Sequence, residues 1–168
     1  QVYKIGKKKP IARVALLTGC VQKVISPQIN EATIRLLNRH DIEVVVLKGI
    51  ECCGSLDYNS GRIEKGIMQK NAAMKEFRKE KYQKIIGYAS GCSTFINKNK
   101  KDTEYQDATS YVLEILSNNK TNNFKITNKN ICVHMPCTTK SAEIDFSKLI
   151  KVLNKIPGLK IFTFEDNY

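Results

Sequence analysis

Arginine is scarce in this chain of 168 residues, five against twenty-three lysines. Aromatic residues make up only 8%, and no recognition-helix or RNP pattern occurs, so a nucleic-acid reader is not indicated. No apolar run approaches the roughly 18–20 residues a membrane-spanning helix needs. The basic opening, residues 1–10, is not followed by an apolar h-region with a cleavage site, so no signal peptide is expected. There is no Ser–His–Asp arrangement, no phosphate-binding glycine loop and no paired carboxylate. No independent catalysis is expected from such a chain.

What is present is charge, a core and thiols. The formal net charge is +12. The lysines are scattered, which points to solvated faces; the functional counterpart is an acidic partner subunit. Apolar residues reach 42%, enough to bury a core. Six cysteines without a secretory signal favour reduced thiols or metal ligands over a disulfide framework.

Short apolar runs alternate with amphipathic stretches. Arg13–Thr18, Glu43–Leu47 and Lys84–Ala89 read as strands, continuously apolar as in a sheet buried on both faces. Between them, Ser26-Pro27 opens a helix, with Ser26 as N-cap, Ile29, Ala32, Thr33, Leu36 and Leu37 as its apolar face, and His40 as a dipole partner at its end. A second helix runs from Gly61 to about Lys79, with Ile63, Ile67, Met74 and Phe77 toward the core. The order predicts an α/β fold, a parallel sheet with covering helices.

A further helix over Ala108–Ser117 precedes an asparagine-rich stretch, and there the pattern restarts. A strand spans Asn130–Cys137, a helix Phe146–Lys155 and a strand Lys160–Glu165. This reads as an internal repeat, with a first unit over residues 1–120, a linker over 121–130 and the opening half of a second unit over 131–168. Cys20 to Cys52 is a step of 32 positions; the same step from Cys137 reaches 169, one beyond Tyr168. The second unit is therefore expected to stop before its own cysteine pair, and to self-associate or be disordered near its end.

Cys52 and Cys53 are adjacent, and neighbouring cysteines rarely bond each other because the peptide between them resists disulfide geometry. Each needs another partner. Cys20, Cys52-Cys53 and Cys92 all lie just past the carboxyl ends of successive strands, the edge where open α/β sheets bind ligands. Gly54 and Gly91 are read as turns supporting them. Four thiolates in one pocket call for cations, either an iron–sulfur cluster or zinc. The adjacent pair favours a multi-iron body, since its two sulfurs reach separate metal atoms. Cys132, inside a strand, reads as a core residue, whereas His134 and Cys137 form a candidate second site.

These motifs resemble the cysteine-rich CCG domain family: VALLTGCVQ over Val14–Gln22, PQINEAT over Pro27–Thr33, Cys52-Cys53-Gly54, ASGC ending at Cys92, and HMPC from His134 to Cys137. Within the family the likeness is strongest to glycolate oxidase iron–sulfur subunits. Lactate-utilisation iron–sulfur proteins, the heterodisulfide reductase B subunit and the glycerol-3-phosphate dehydrogenase membrane-anchor subunit carry the same module. The resemblance implies a Rossmann-like CCG unit followed by a truncated second copy. It implies Cys20, Cys52, Cys53 and Cys92 as ligands of a first cluster, with His134 and Cys137 opening an incomplete second site. Phe95 stands three places after Cys92, where heterodisulfide reductase has a further cysteine. That departure counts against a noncubane cluster at this site; the resemblance implies a 4Fe-4S cluster, with zinc or an empty site as the alternatives in an isolated fragment.

By the same resemblance, the chain would pass electrons from an FAD-containing glycolate oxidase subunit toward quinone, in the cytoplasm and peripheral to the inner membrane. A lactate-utilisation or heterodisulfide-reductase-like subunit is the alternative within this chemistry. A zinc-binding docking module and a thiol–disulfide enzyme using Cys52 or Cys53 are the alternatives outside it.

Overall fold

A computed structural model describes residues 1–4, 9–47, 49–50, 52–97, 105–118, 123–135 and 144–164. Five strands form one mixed sheet: β1 (Val2–Tyr3), β2 (Ala12–Leu17), β3 (Ile42–Val46), β4 (Lys84–Gly87) and β5 (Tyr105–Asp107), in the order β1-β3-β2-β4-β5. Strands β2 to β5 pair in parallel, and β1 adds an antiparallel edge, with Val2 opposite Val45. Strand β2 sits at the centre because its residues are apolar on both sides. Val14 and Leu16 face one layer and Ala15 and Leu17 the other, and all four are buried.

The first layer packs α2 (Pro27–Arg39) and α6 (Ala108–Asn118) on the sheet. Ile34, Leu37, Ala108 and Tyr111 meet Val14, Leu16, Val44 and Ile86 there. The second layer holds α4 (Ile63–Phe77) and α5 (Ser90–Asn97), whose Ala73, Met74, Phe77 and Ile96 meet Ala15, Leu17 and Ile85. Two short helices precede these elements, α1 (Gln22–Ile25) and α3 (Ser55–Asn59). Helices on both faces explain why the parallel strands are continuous apolar runs.

Several sequence expectations need correction. On α2 the buried residues are Asn30, Thr33, Ile34 and Leu37, whereas Ala32 and Ile29 face outward. On α4, Ile63 and Ile67 are exposed, and Gly66, Ala73, Met74 and Phe77 turn inward. Ser26 precedes α2 without a side-chain cap hydrogen bond, because its backbone closes the last turn of α1 onto the Gln22 carbonyl. Gly91 is not a turn. It lies in the first turn of α5, and an added Cβ would find Ser55 Oγ at 3.8 Å.

Downstream, β6 (Lys129–Val133) and β7 (Leu159–Thr163) pair in parallel, joined through α7 (Phe146–Leu153), again strand, helix, strand. Asp145 caps α7 by accepting from the Lys148 backbone N–H at 2.9 Å. Val152 and Leu149 of α7 pack on Leu113 and Leu116 of α6. The other side of this two-stranded sheet is open. Cys132 and Phe162, opposite each other, are both exposed, so Cys132 is not a core residue.

Candidate functional site

The carboxyl edge of the sheet carries the thiols. Cys20 follows β2 in a turn that leads into α1. Its position is fixed from α2, where the buried Asn30 donates from Nδ2 to the Thr18 carbonyl at 3.0 Å and accepts from Gln22 Nε2 at 3.1 Å. One amide thus holds the chain on both sides of Cys20. Cys52 and Cys53 follow β3 and lead into α3. Gly54 makes that entry at φ +89°, and a Cβ there would stand 2.1 Å from the Gly66 carbonyl oxygen. Gly66 is equally crowded, its own added Cβ falling 2.7 Å from Tyr58 Cβ. The two glycines let α3 and α4 touch backbone to backbone.

Cys92 stands in the first turn of α5, and α5 is tied to the Cys53 loop. Ser55 Oγ donates to the Gly91 carbonyl at 3.0 Å and accepts from Asn59 Nδ2 at 3.2 Å. Tyr58 and Phe95 pack ring on ring at 4.8 Å between centroids. Phe95 therefore fills with a buried aromatic the place three residues after Cys92. Asp57 holds the far side of α3 through Arg62 and Lys65.

Two of the four thiols are in direct contact and the other two lie near them. Cys53 Sγ is 2.8 Å from Cys92 Sγ, and Cys52 has Cys20 as a charge neighbour. Cys52 adjoins the Cys53–Cys92 pair through its peptide bond to Cys53, and Cys92 feels the charge of the other three. All four are free thiols; Cys53 and Cys92 are buried, Cys20 and Cys52 half-buried.

Their proton affinities separate. The hydrogen bond from Cys92, helped by the backbone N–H of Ser55, pulls Cys53 down to about 7 against the opposing effect of burial. Cys92 is pushed up, first by keeping the shared proton beside Cys53 and then by burial. Burial pushes Cys52 up to about 11, partly offset by the Gly54 N–H, 3.4 Å from its sulfur. One thiolate is thus available near neutral pH without an added cation. Cys53 is nevertheless 3% exposed, a poor position for a nucleophile that must meet an external disulfide.

The donor set fits a thiolate-bound metal centre, which demands several sulfurs with the charge to ionise them. Among the described residues, no three His, Cys, Asp or Glu side chains are grouped as a single ion would need. Two sulfurs on one tetrahedral zinc stand about 3.8 Å apart, given Zn–S bonds of about 2.3 Å. Cys53 and Cys92 are closer than that, so they must part to admit metal. Four sulfurs drawn from three segments, not grouped for a single ion, suit a body with several metal atoms better than one ion.

His134 is exposed at the end of β6, edge-on to Phe164 at 6.2 Å, and Cys137 lies outside the described residues. Sequence reasoning passed over Asn30, Ser55, Gly66 and Tyr105, all packed around the thiol loops. Only Asn30 had a local signal, a polar residue on the inward stripe of an amphipathic helix. Among the described residues no helix is long and apolar enough to cross a membrane.

The family model described as a cysteine-rich domain, CCG, matches residues 14–97, half of the chain. The chain is 30% identical over 159 residues to the glycolate oxidase iron-sulfur subunit of Escherichia coli K12, covering 86% of this chain and 39% of that one. It is 26% identical over 168 residues to a CoM/CoB fumarate reductase subunit of Methanothermobacter marburgensis, covering 98% and 33%. It is 24% identical over 165 residues to lactate utilization protein A 2 of Bacillus anthracis, covering 89% and 66%. The chain thus spans less than two thirds of each of these relatives. No solved structure matches it.

Proposed function

The chain belongs to the CCG cysteine-rich domain family, and from that premise we propose that it is an iron–sulfur electron-transfer part of an oxidoreductase complex. Cys20, Cys52, Cys53 and Cys92 would hold the cluster, of four-iron type. When bound, such a cluster supplies one-electron redox chemistry at a potential set by its ligands, hydrogen bonds to sulfur and exposure.

The observation that carries this reading is the contact of Cys53 with Cys92 at the sheet's carboxyl edge, with Cys20 and Cys52 close enough for their charges to act on Cys92, across up to 72 positions of chain, Cys20 to Cys92. The protein's own groups act around it. Asn30 and Gln22 hold the Cys20 turn, Ser55 links the two buried thiols' helices, and Phe95 with Tyr58 keeps apolar bulk beside Cys92. The Ser55 N–H and the Cys92 thiol together leave Cys53 ionisable near neutral pH. Next to the cysteine loops, Val24 and Ile25 of α1 and Leu56 of α3 are exposed. An apolar rim there suits a partner subunit that must come close to a redox centre.

The partner in this reading is an FAD-containing glycolate oxidase subunit, with quinone as the eventual acceptor. The likeness to the Escherichia coli protein supports glycolate. The larger covered share of the Bacillus anthracis protein supports lactate utilisation as the second reading. Anaerobic reconstitution with ferrous iron and sulfide, followed by mixing with each reduced flavin subunit, tests the proposal. Bleaching of the visible absorption by the glycolate-reduced subunit is expected. A reconstituted chain that no flavin subunit reduces, though dithionite does, would contradict it.

A further inference from the structure

Tyr105 opens β5 and is 5% exposed, in one buried cluster with Cys53, Cys92, Leu17 and Ile96. Its hydroxyl oxygen is buried and has no hydrogen-bond partner. Ser93 approaches it but is off hydrogen-bond geometry, and instead donates to the Ala89 carbonyl at 3.4 Å. A buried donor is rarely left unmade, and phenylalanine would pack an apolar layer without that penalty.

The hydroxyl also has space cleared for it. It lies across the neighbouring strand at Gly87, where an added Cβ would fall 2.3 Å from Tyr105 Oη and 3.0 Å from the Leu17 carbonyl. Any larger residue at 87 would displace the tyrosine. The backbone is pinned as well, with Asn97 Nδ2 donating to the Tyr105 carbonyl at 3.1 Å. The ring is thus held beneath α5, which bears Cys92 in its first turn, and the charges of Cys92 and Cys53 both act on its hydroxyl.

We infer that Tyr105 is a positioning residue for the redox centre, its hydroxyl donating a hydrogen bond to the Cys92 sulfur once the four thiols bind metal. The inference rests on the iron–sulfur reading above. A donor aimed at sulfur favours the form with more negative charge there, the reduced one, and so raises the potential.

The test is Tyr105→Phe, which keeps the ring, compared with wild type after loading both with ferrous iron and sulfide without oxygen. The expected result is a midpoint potential about 59 mV lower in the variant, a tenfold change in the reduced-to-oxidised ratio for one electron. Metal-free Tyr105→Phe should melt at or above the wild-type temperature, because no hydrogen bond is lost. An unchanged potential in a loaded variant overturns this inference alone. A lower metal-free melting temperature also overturns it, by showing that the hydroxyl has a partner in the fold itself. A wild type that takes up no iron overturns the electron-transfer reading and this inference with it.

Discussion

Cys53 Sγ and Cys92 Sγ lie 2.8 Å apart although 39 positions of chain separate them. Their contact depends on β3 and β4 both ending at one sheet edge and on Ser55 bridging to Gly91. It also sets the chemistry of the pair, since Cys92 lets Cys53 ionise first. In metal-free protein the first thiolate should therefore appear with a midpoint of about 7, followed by its ultraviolet absorbance. Cys92→Ala removes the largest cause of that shift. Its first thiolate should move up toward the ordinary cysteine value of about 8.5. A midpoint unmoved by the substitution would mean the two sulfurs do not share a proton.

Gly54 and Gly91 both flank cysteines but should respond oppositely to alanine. At Gly54 the backbone is left-handed and the new Cβ would meet the Gly66 carbonyl at 2.1 Å. Strain and overpacking together should cost about 3 kcal/mol. At Gly91 the backbone is helical and open, so alanine should be neutral or stabilising by up to about 1 kcal/mol. Urea unfolding of the two variants measures both.

Asn30→Asp tests the clamp on the Cys20 turn. A carboxylate cannot donate to the Thr18 carbonyl, so that group loses its partner. The loss should be about 1–3 kcal/mol of stability. Iron, once bound, should also leave the variant faster under a chelator than it leaves wild type. Equal release rates would show that Asn30 does not hold Cys20 for ligation.

Asp57 gives the acid limb of stability a specific origin. The hydrogen bond from Arg62, with Lys65 behind it, holds its carboxyl below the usual carboxylate range. A depressed folded-state value contributes stability that is present above the unfolded value and lost as pH falls through the folded one. The melting temperature of wild type should therefore fall on acidification below the ordinary carboxylate range. Asp57→Asn should show a shallower fall there and a lower plateau at neutral pH. Parallel profiles would exclude Asp57 as a contributor.

The parts of this molecule written plainly in its sequence are those fixed by local pattern. Strands β2, β3 and β4 were legible because a sheet covered on both faces needs unbroken apolar runs, and the cysteines stand where those runs stop. Helix α5 was not, since SGCSTFIN has no apolar period and begins on small polar residues; it exists because Phe95 and Ile96 bury against α3 and the sheet. The three-residue β5 had no length to detect, and its identity rests on pairing with Ile85, Ile86 and Gly87. Ile63 and Ile67 misled because apolar residues also occupy the exposed side of α4, while the small Gly66 and Ala73 take the close contacts. Cys132 misled for another reason, that the sheet it belongs to has two strands and a cover on one face only. What the site gained from tertiary structure alone was the Gly54–Gly66 approach and the Tyr105 hydroxyl, whereas the Asn30 clamp left a trace in the sequence as a polar residue on the inward stripe of α2.

Iron and acid-labile sulfide, counted per chain after anaerobic reconstitution, test the central claim most directly. Wild type should retain about four of each, with a broad visible absorption, and the variant lacking Cys20, Cys52, Cys53 and Cys92 should retain neither. One zinc per chain with no sulfide, or iron uptake undiminished in that variant, would contradict the account.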